Sequence, residues 1–421
     1  VQHRTLERAL LAGAADHRTR RDLGAHRHAH LGEVAVDRVV AVAVVEHDES
    51  TGAAVVVVGR IDAIEQVIVV SFLAQCVDEV SLAPLRGAGR AVTRWEALGD
   101  SLASVELLYA RLPFDHPLFV MYSSGTTGLP KCMVHGAGGT LLQHLKEHQL
   151  HTDLGDGDRV FYFTTCGWMM WNWLVTALAS GATIVLYDGA PMPPSAPDML
   201  WTLAAEERVS VFGTSAKYLA LSEKEGFVPR RTHELSALRT MLSTGSPLAP
   251  ASFAYVYRDV QPDVHLASIS GGTDIISCFA LGNPMLPVWQ GELQSLGLGM
   301  AVDVWDSAGH PSHAIPGDLV CTRPFPSMPV AFWNDSDGSK YRKAYFDHFP
   351  GVWRHGDWAQ RTPHDGLIIL GRSDATLNPG GVRIGTAEIY RQVEQIDDVM
   401  EAVVVGQDIR VDGSPDVRIV L

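Results

Sequence analysis

Short apolar runs alternate with longer amphipathic stretches from Leu118 onward, and this alternation constrains the fold more than any other feature. The apolar runs have the length of buried strands, and the stretches between them have the length and periodicity of helices. A strand that is followed by a crossover helix lies parallel to the next strand. The pattern therefore predicts an α/β fold with a largely parallel sheet covered by helices on both faces. We expect strands over 118–122, 160–163, 182–187, 209–212, 238–242 and 265–269, and helices over 138–148, 168–179, 199–207, 216–225 and 250–258.

The residue composition and pattern of the chain change at three places, and these changes predict its domain organisation. The first ninety residues contain neither Lys nor Asn, and we can assign no function to them. Near Gly291 the alternation gives way to short strands and turns, which indicates a small β-subdomain. A further small α/β unit follows Ser373. We expect an atypical segment over 1–95, a large domain over 96–373 and the start of a small α+β C-terminal domain over 374–421.

The composition argues against several classes of function. The formal net charge is -15, and an acidic surface opposes broad nucleic-acid binding, which needs a basic face against the phosphates. The apolar runs over 39–45 and 67–74 are far too short to cross a bilayer, and no signal pattern opens the chain. Five scattered cysteines without a C-x-x-C pair argue against a disulfide framework or a structural zinc site. We therefore expect a cytoplasmic protein with no nucleic-acid or membrane partner.

The segment from Tyr122 to Lys131 reads YSSGTTGLPK and has the chemistry of a phosphate-binding loop. Glycines let the backbone approach an anion closely, and hydroxyl and N–H groups can donate to phosphate oxygens. The segment is not a Walker A loop, and an ordinary Gly/Ser/Thr turn is the alternative interpretation. The candidate nucleotide-binding residues are Ser123, Ser124, Gly125, Thr126, Thr127, Gly128 and Lys131.

Three further motifs follow this loop in order. Residues 270–274 read SGGTD, residues 353–357 read WRHGD, and residues 371–374 read GRSD, with GGVRI at 380–384 and then Glu388. Together with the loop they resemble the signature motifs of adenylate-forming enzymes, a family that includes acyl-CoA ligases, firefly-type luciferases and peptide-synthetase adenylation domains. Four motifs in the family's order make a chance match improbable.

The resemblance extends over 112–421 and implies the fold and ligands of that family. The fold would be a large domain of parallel-rich sheets with flanking helices plus a small β-subdomain, followed by a C-terminal lid domain. The ligands would be ATP, Mg²⁺ and coenzyme A, the last as a substrate. Thr273 would bond the α-phosphate, Asp274 would hold Mg²⁺, and Lys131 would face the phosphates. The other implied residues are Asp357 and Arg372 at the ribose, Arg383 at a phosphate, Gly245, Ser246 and Pro247 along the adenine, and Asp374 at the hinge.

Four of these residues also have an ordinary structural interpretation when taken singly. Asp274 and Asp374 are common turn residues, and Arg372 and Arg383 are typical surface charges. Asp274 stands where the family usually has Glu, and its shorter side chain reaches less far toward a cation. The implied mechanism has two steps: the acid attacks the α-phosphate of ATP to give an acyl-adenylate, and the thiol of coenzyme A then displaces AMP.

A second distinctive stretch concerns the acid. Residues 161–172 read FYFTTCGWMMWN and, with 211–216 and 268–274, resemble acetoacetate–CoA ligases more closely than other members of the family. The related acetyl-CoA synthetases carry a tryptophan where this chain has Gly271, and glycine there would leave room for an acid larger than acetate. The implied substrate pocket consists of Trp168, Met169, Met170, Thr244 and Gly271. The alternative interpretation of these apolar side chains is core packing.

The resemblance also fails in two places. The stretch before the phosphate loop is shorter than the family's, and the chain stops before the segment in which the family carries its adenylation lysine. We therefore expect a chain that is incomplete at both ends and slow or inactive in the first half-reaction. The alternative functions are a ligase for another short-chain acid, such as an acetyl-CoA synthetase-like enzyme, and a non-catalytic nucleotide-binding relic.

Overall fold

A computed structural model gives the structure of the chain. It describes residues 39–48, 52–55, 64–71, 91–94, 109–123, 131–313, 315–373, 377, 386–393, 396, 399, 402–411 and 414–421. The chain divides into two compact units, Val1–Ala110 and Arg111–Leu421, which we describe separately. No helix in these ranges is long and apolar enough to span a membrane.

The first unit contains a four-stranded sheet. Its strands are β1 (Val39–Asp48), β2 (Gly52–Val55), β3 (Ile64–Ser71) and β4 (Ala91–Arg94), in the order β2-β1-β3-β4. Strand β3 runs parallel to both β1 and β4, whereas β1 and β2 are antiparallel. The short connection between β1 and β2 suits a hairpin, because parallel neighbours need a crossover of a dozen or more residues.

The second unit begins with an antiparallel hairpin, β5 (Pro117–Ser123) and β6 (Lys131–Gly136). A short strand, Ala331–Phe332, pairs with the other edge of β6. The strand expected over 118–122 is therefore present, but it does not join the parallel sheet. The seven residues between β5 and β6 are too few for a crossover, so the chain can only return antiparallel.

A five-stranded parallel sheet follows, as the alternation predicts. Its order is β11-β10-β9-β7-β8, and every neighbouring pair is parallel. The expected strands and helices are confirmed, with ends displaced by a few residues. The strands are β7 (Arg159–Tyr162), β8 (Thr183–Val185), β9 (Val211–Ser215), β10 (Thr240–Thr244) and β11 (His265–Ser268). The helices are α1 (Ala137–Lys146, extended by a π-helical turn Glu147–His151), α2 (Met169–Thr176, extended by a 3₁₀ turn Ala177–Ser180), α3 (Met199–Glu206), α4 (Ala216–Lys224), α5 (Pro229–Thr232) and α6 (Pro250–Tyr255, extended by a π-helical turn Val256–Val260).

Hydrophobic cores cover both faces of this sheet. Phe212 and Met241 lie in one buried cluster with Trp201 of α3, whereas their neighbours Val211 and Leu242 lie in another. Successive side chains of a strand point to opposite faces, so continuous apolar strands are what a sheet buried on both faces requires. The prediction of a covered parallel sheet is therefore confirmed.

The antiparallel sheets that enclose a further core begin at Ser270, earlier than the strand-rich part predicted beyond Gly291. One sheet has the order β12-β13-β14 and another the order β15-β16-β18-β19. The strands are β12 (Ser270–Gly272), β13 (Ser277–Leu281), β14 (Ser295–Leu296), β15 (Val302–Trp305), β16 (Gly317–Cys321), β17 (Ala331–Phe332), β18 (Trp353–Arg361) and β19 (Leu367–Arg372). Helix α7 (Ser339–Tyr345) precedes β18, and the described chain closes with α8 (Thr386–Val393) and the hairpin β20 (Val405–Val411) and β21 (Ser414–Val420).

Candidate active site

The candidate phosphate loop connects β5 to β6, and the residues at its two ends face each other. Ser123 ends β5, Lys131 begins β6, and the two are paired in the hairpin register. The hydroxyl oxygen of Ser123 is buried and has no hydrogen-bond partner in the part of the chain that the structure describes. Buried hydroxyls normally have a partner, so this atom suits a bound anion. The loop residues Ser124, Gly125, Thr126, Thr127 and Gly128 lie outside the described residues.

Three side chains from different elements meet at the start of β6. The Lys131 ammonium donates to Oδ2 of Asp274 and forms an ion pair with it. The Tyr345 hydroxyl, at the end of α7, donates to the same oxygen at 2.7 Å. The ammonium nitrogen also lies 5.0 Å from the centre of the Tyr345 ring, within the range of a cation–π contact. Lys131, Asp274 and Tyr345 therefore form one polar cluster beside the phosphate loop.

Opposing effects determine the charge of Asp274. Burial alone would raise the pKa of this carboxyl group, but the charge of Lys131, the His355 side chain and the hydrogen bonds from Lys131 and Tyr345 outweigh burial. The pKa of Asp274 is therefore below its ordinary value, and the group is an anion at neutral pH. Burial and the nearby Asp274 carboxylate raise the pKa of Tyr345 far above its ordinary value, so its hydroxyl keeps the proton and stays a donor.

The donor set at Asp274 fits Mg²⁺ bound together with a nucleotide. Oδ2 accepts from Lys131 and Tyr345, whereas Oδ1 accepts no hydrogen bond from any described residue. No group of three or more His, Cys, Asp or Glu in the described ranges could hold a metal ion on its own. Mg²⁺ commonly takes one or two carboxylate oxygens and completes its shell with phosphate oxygens and water. Asp274 would then supply Oδ1, and a nucleotide would supply the phosphates.

Thr273 and Asp274 lie in the tight turn between β12 and β13. The backbone N–H of Ile275 donates to Gly272 O at 3.2 Å, and the N–H of Ile276 donates to Thr273 O at 3.2 Å. His135 of β6 also bonds this Thr273 carbonyl, with Nε2 at 3.1 Å. A carbonyl only accepts, so Nε2 carries the hydrogen. The side chain of Thr273 remains partly exposed and could reach a ligand.

A second polar cluster joins β18 to β19. Nη1 of Arg372 donates to Oδ1 of Asp357 at 3.0 Å, and Nε2 of His355 lies 3.7 Å from Oδ2 of the same carboxylate. Asp357 and His355 are buried, whereas the Arg372 side chain is half exposed. Arg372 is thus placed to hold the carboxylate from a half-exposed position. A carboxylate held on one side can still accept two hydroxyl groups of a cis-diol.

His355 connects the two clusters. A Cβ atom added to Gly272 would lie 3.3 Å from Nε2 of His355, so this ring packs against the turn that carries Asp274. The same nitrogen faces Asp357. Burial lowers the pKa of His355, with Asp357 and Asp274 opposing that shift, so the ring is neutral at pH 7. The expected phosphate and ribose residues therefore lie side by side around one neutral imidazole.

The segment expected to line the adenine adjoins the residues expected to bind the acid. Gly245 has φ +93°, a conformation that favours glycine, and an added Cβ would lie 3.8 Å from the Trp168 ring. Ser246 is exposed and Pro247 is partly buried. Thr244 donates from its hydroxyl to Ile269 O at 2.8 Å, which ties the end of β10 to the chain leaving β11.

The predicted pocket residues differ in exposure. Trp168 is partly exposed and packs edge-on against Tyr162, with ring centroids 5.9 Å apart. Met169 and Met170 are buried in the core cluster that also contains Trp173. Of these three side chains, Trp168 is therefore the one with exposed surface that a substrate could contact. The pocket role of all three residues stays a prediction.

Gly271 has a packing reason to be glycine in addition to the predicted pocket role. A Cβ atom at this position would lie 2.0 Å from Ser277 O and 2.4 Å from the Cα of Cys278, so β12 and β13 approach too closely for any side chain. The pairing of these strands is also irregular between Ser270 and Gly271. A larger residue here would require the hairpin to shift.

Sequence reasoning missed two members of the site. Tyr345 lies outside every motif, and its role depends on a contact with Asp274, 71 residues away. His355 lies inside the WRHGD motif, where the resembled family has threonine, and that departure was the available signal. Two expected residues, Asp374 at the hinge and Arg383 at a phosphate, lie outside the described residues.

Comparisons with known proteins identify the family to which the chain is similar. The family model described as AMP-binding enzyme matches residues 9–322. Acetoacetyl-coenzyme A synthetase of Rhizobium meliloti is 62% identical over 82% of this chain and 52% of its own length, and acetoacetyl-CoA synthetase of Gallus gallus is 55% identical over 74% and 47%. A solved acetoacetyl-CoA synthetase from Streptomyces lividans superposes with a TM-score of 0.74 at 47% identity, covering 82% of this chain and 51% of that one. The chain thus spans about half the length of these relatives.

Proposed function

The chain belongs to the AMP-binding enzyme family, and on that premise we propose that it carries the nucleotide- and acid-binding part of an ATP-dependent acetoacetate–CoA ligase. The family supports the adenylate chemistry. The acid is proposed because the relatives named above are acetoacetyl-CoA synthetases, two of them at 55% and 62% identity.

The observation that carries the proposal is the cluster of Lys131, Asp274 and Tyr345. It joins the end of the glycine- and hydroxyl-rich loop to the Thr273–Asp274 turn, and each member has a use in phosphate chemistry. Lys131 would neutralise phosphate charge, Asp274 would offer one carboxylate oxygen to Mg²⁺, and Tyr345 would hold that carboxylate in place. An ordinary surface turn would have no reason to bury an aspartate between a lysine and a tyrosine.

The reaction needs no side-chain nucleophile. In the first step, an oxygen of the acid bonds to the α-phosphorus of ATP, and the bond to the α,β-bridging oxygen breaks, so pyrophosphate leaves with the electron pair. In the second step, the sulfur of coenzyme A bonds to the acyl carbon, and the bond from that carbon to the AMP oxygen breaks. Magnesium, when bound, would neutralise phosphate charge. The chain's own residues would orient the reactants and stabilise the charge that develops on the phosphate.

Two groups of residues would orient the reactants. Thr273 would donate to the α-phosphate from the turn that precedes Asp274. Asp357, held by Arg372, would accept hydrogen bonds from the ribose hydroxyls, so the nucleoside and the phosphates would be fixed at neighbouring points of one site. Gly245, Ser246 and Pro247 would border the adenine, and Trp168 the acid beside it. Because Gly245 lies against Trp168, the acid and the nucleotide would share one cleft.

A sharp test is the acid dependence of pyrophosphate release. The chain is placed in excess over ATP, with Mg²⁺ and coenzyme A, and acetoacetate is compared with acetate at equal concentration. We expect release that requires acetoacetate and that is at least about tenfold slower with acetate, the range that one missing group in a pocket commonly gives. Asp274→Asn is the inactive control. Equal rates with the two acids would overturn the acetoacetate assignment in favour of a ligase for another short-chain acid.

ATP binding without any acid-dependent release would instead favour a nucleotide-binding protein without turnover. The other ligands proposed are small molecules, namely ATP, Mg²⁺ and coenzyme A. A reducing, cytoplasmic compartment remains a proposal, which the free thiols of Cys132, Cys166, Cys278 and Cys321 support.

A further inference from the structure

A buried polar network lies beneath the Thr273–Asp274 turn and takes no direct part in the chemistry described above. Its centre is Glu147, the first residue of the π-helical turn after α1, whose carboxylate is fully buried. Oε1 accepts from the Ser277 hydroxyl at 2.5 Å and from the Cys278 backbone N–H at 3.1 Å, and Oε2 accepts from the Trp173 indole N–H at 3.0 Å. The Lys146 ammonium, 3.7 Å away, offsets the charge. The carboxylate thus binds the start of β13 on one side and α2 on the other.

A second side chain from the same helix bonds the same turn. Nε2 of His144 lies 2.5 Å from Ile276 O, and Nδ1 lies 2.9 Å from the Thr176 hydroxyl. The carbonyl can only accept, so Nε2 carries the hydrogen. Burial lowers the pKa of His144, which keeps the ring in this neutral form at pH 7.

The turn that these two residues bond is strained. Ile276 is fully buried and has φ +45°, in the left-handed region that a β-branched residue rarely adopts. Such a conformation persists only when the surrounding structure holds it, and it occurs most often at functional sites. The contacts from His144 and Glu147 fall on three consecutive residues, Ile276, Ser277 and Cys278. They therefore fasten the strained residue and the two residues that follow it.

We propose that Glu147 and His144 are positioning residues, which hold Ile276 in its left-handed conformation and thereby fix Thr273 and Asp274 toward the nucleotide and Mg²⁺. This inference rests on the proposed function. Asp274 is two residues before Ile276, and the N–H of Ile276 closes the turn on Thr273 O. A relaxed Ile276 would therefore move the carboxylate that the proposal assigns to Mg²⁺.

If the network of Glu147 and His144 had a purely structural role, its variants would give different results. In that case the network would fasten α1 and α2 to the sheet, and loss of any of its hydrogen bonds would lower stability without altering ligand affinity. The chain offers a matched pair of variants, because Ser277 and Trp173 each donate one hydrogen bond to opposite oxygens of the same carboxylate. Ser277→Ala removes one of the two bonds on the turn side and leaves the bond from the Cys278 N–H, and Trp173→Phe removes the bond on the α2 side.

The experiment measures the dissociation constant of ATP by calorimetry, with Mg²⁺ and with EDTA, and the unfolding midpoint of each variant separately. We expect Ser277→Ala and Glu147→Gln to weaken Mg²⁺-dependent ATP binding about tenfold, the lower end of the range for residues that orient metal ligands. Trp173→Phe is expected to keep the ATP affinity within about twofold. Its unfolding midpoint should fall about as much as that of Ser277→Ala, because each variant loses one hydrogen bond. If Glu147→Gln does not fold, Ser277→Ala and Trp173→Phe decide the question.

Three results would overturn the proposal. One is equal ATP affinity in Ser277→Ala and the unchanged chain, and another is equal weakening of ATP binding in Ser277→Ala and Trp173→Phe. Either result would mean that the network has a purely structural role, while the proposed function stands. No Mg²⁺-dependent ATP binding by the unchanged chain would remove the proposed function and this inference with it.

Discussion

Lys131 and Asp274 are 143 positions apart in the chain, and their side chains form an ion pair beside the phosphate loop. The pair joins the hairpin of β5 and β6 to the turn between β12 and β13. Neither side chain is fully exposed, so water screens their attraction only in part. This one contact brings together the two motifs that the resemblance assigns to the phosphates and to Mg²⁺.

The Tyr345 hydroxyl should affect how pyrophosphate release falls on the acid side of the pH–rate profile. Its hydrogen bond helps to hold the pKa of Asp274 below the ordinary value, so Tyr345→Phe should raise that pKa. If activity needs ionised Asp274, the fall in pyrophosphate release on the acid side should begin at higher pH. The phenyl ring keeps the stacking on Trp353, with ring centroids 3.6 Å apart in the parent chain.

Tyr341→Phe is the matched control for this prediction. Tyr341 packs against Tyr345 with ring centroids 5.4 Å apart, but it makes no hydrogen bond to Asp274. The pH–rate profile of Tyr341→Phe should match that of the unchanged chain. A shift of the same size in both variants would mean that packing, rather than the hydrogen bond, sets the acid limb.

Asp357→Ala should weaken ATP binding about tenfold or more, because a hydrogen bond to a charged group contributes roughly 1.5–3 kcal/mol. The carboxylate is buried and held by Arg372 at 3.0 Å, so its position is fixed before the ribose arrives. Calorimetric titration with ATP measures the effect. Asp365→Ala, which removes an almost fully exposed carboxylate paired with Arg361, should leave the affinity unchanged. Unaltered binding in Asp357→Ala would rule out the ribose role.

Gly271→Ala should destabilise the chain by about 2 kcal/mol, the usual cost of forcing extra atoms into a packed site. The added methyl would meet Ser277 O at 2.0 Å, and a backbone carbonyl cannot rotate away as a side chain can. Urea unfolding measures the loss. Gly155→Ala is the control, because a Cβ there meets no atom within 4 Å, and its effect should stay within about 0.5 kcal/mol. A stable Gly271→Ala variant would favour the pocket role alone.

His148 should make stability depend on pH. Burial lowers the pKa of this ring to about 3, so the folded state keeps it neutral while the unfolded state takes up a proton near pH 6.5. The unfolded state then binds more protons below pH 6.5, and the free energy of unfolding falls as the pH falls toward 3. Between pH 6.5 and 5.5 the loss from this group should be roughly 1 kcal/mol.

His148→Gln tests this contribution, because the amide can still donate to the Trp173 carbonyl that Nε2 bonds at 3.0 Å. Urea unfolding at the two pH values should show a pH dependence that is smaller by that amount. An unchanged dependence would show that other groups, such as His135, whose pKa burial lowers to about 4, account for the acid sensitivity.

The parallel sheet and its helices could be predicted from the sequence because apolar periodicity is a local property. Strands such as Val211–Ser215 and helices such as Ala216–Lys224 follow from the residues within them. The antiparallel partner of β5 could not be predicted in this way, because pairing depends on which distant segments meet. Strand Lys131–Gly136 is short and carries polar residues, and only the short loop before it indicates a hairpin.

The candidate site was predictable where residues fall in motifs and not where they act through contacts. Thr273, Asp274 and Asp357 became candidates because their neighbours form recognisable patterns. Tyr345 and His355 were missed because their importance comes from the Asp274 carboxylate and the Gly272 backbone that they touch. Glu147, in a helix with no motif, was missed for the same reason.

The most direct test of the central claim is formation of the acyl-adenylate itself. The chain, in excess, is incubated with ATP, Mg²⁺ and acetoacetate but without coenzyme A, and the product is identified by mass spectrometry. We predict one acetoacetyl-adenylate for each pyrophosphate released, and none with Asp274→Asn. Pyrophosphate or phosphate released without an acyl-adenylate, or product that does not depend on the acid, would contradict the assignment of this site to carboxylate activation.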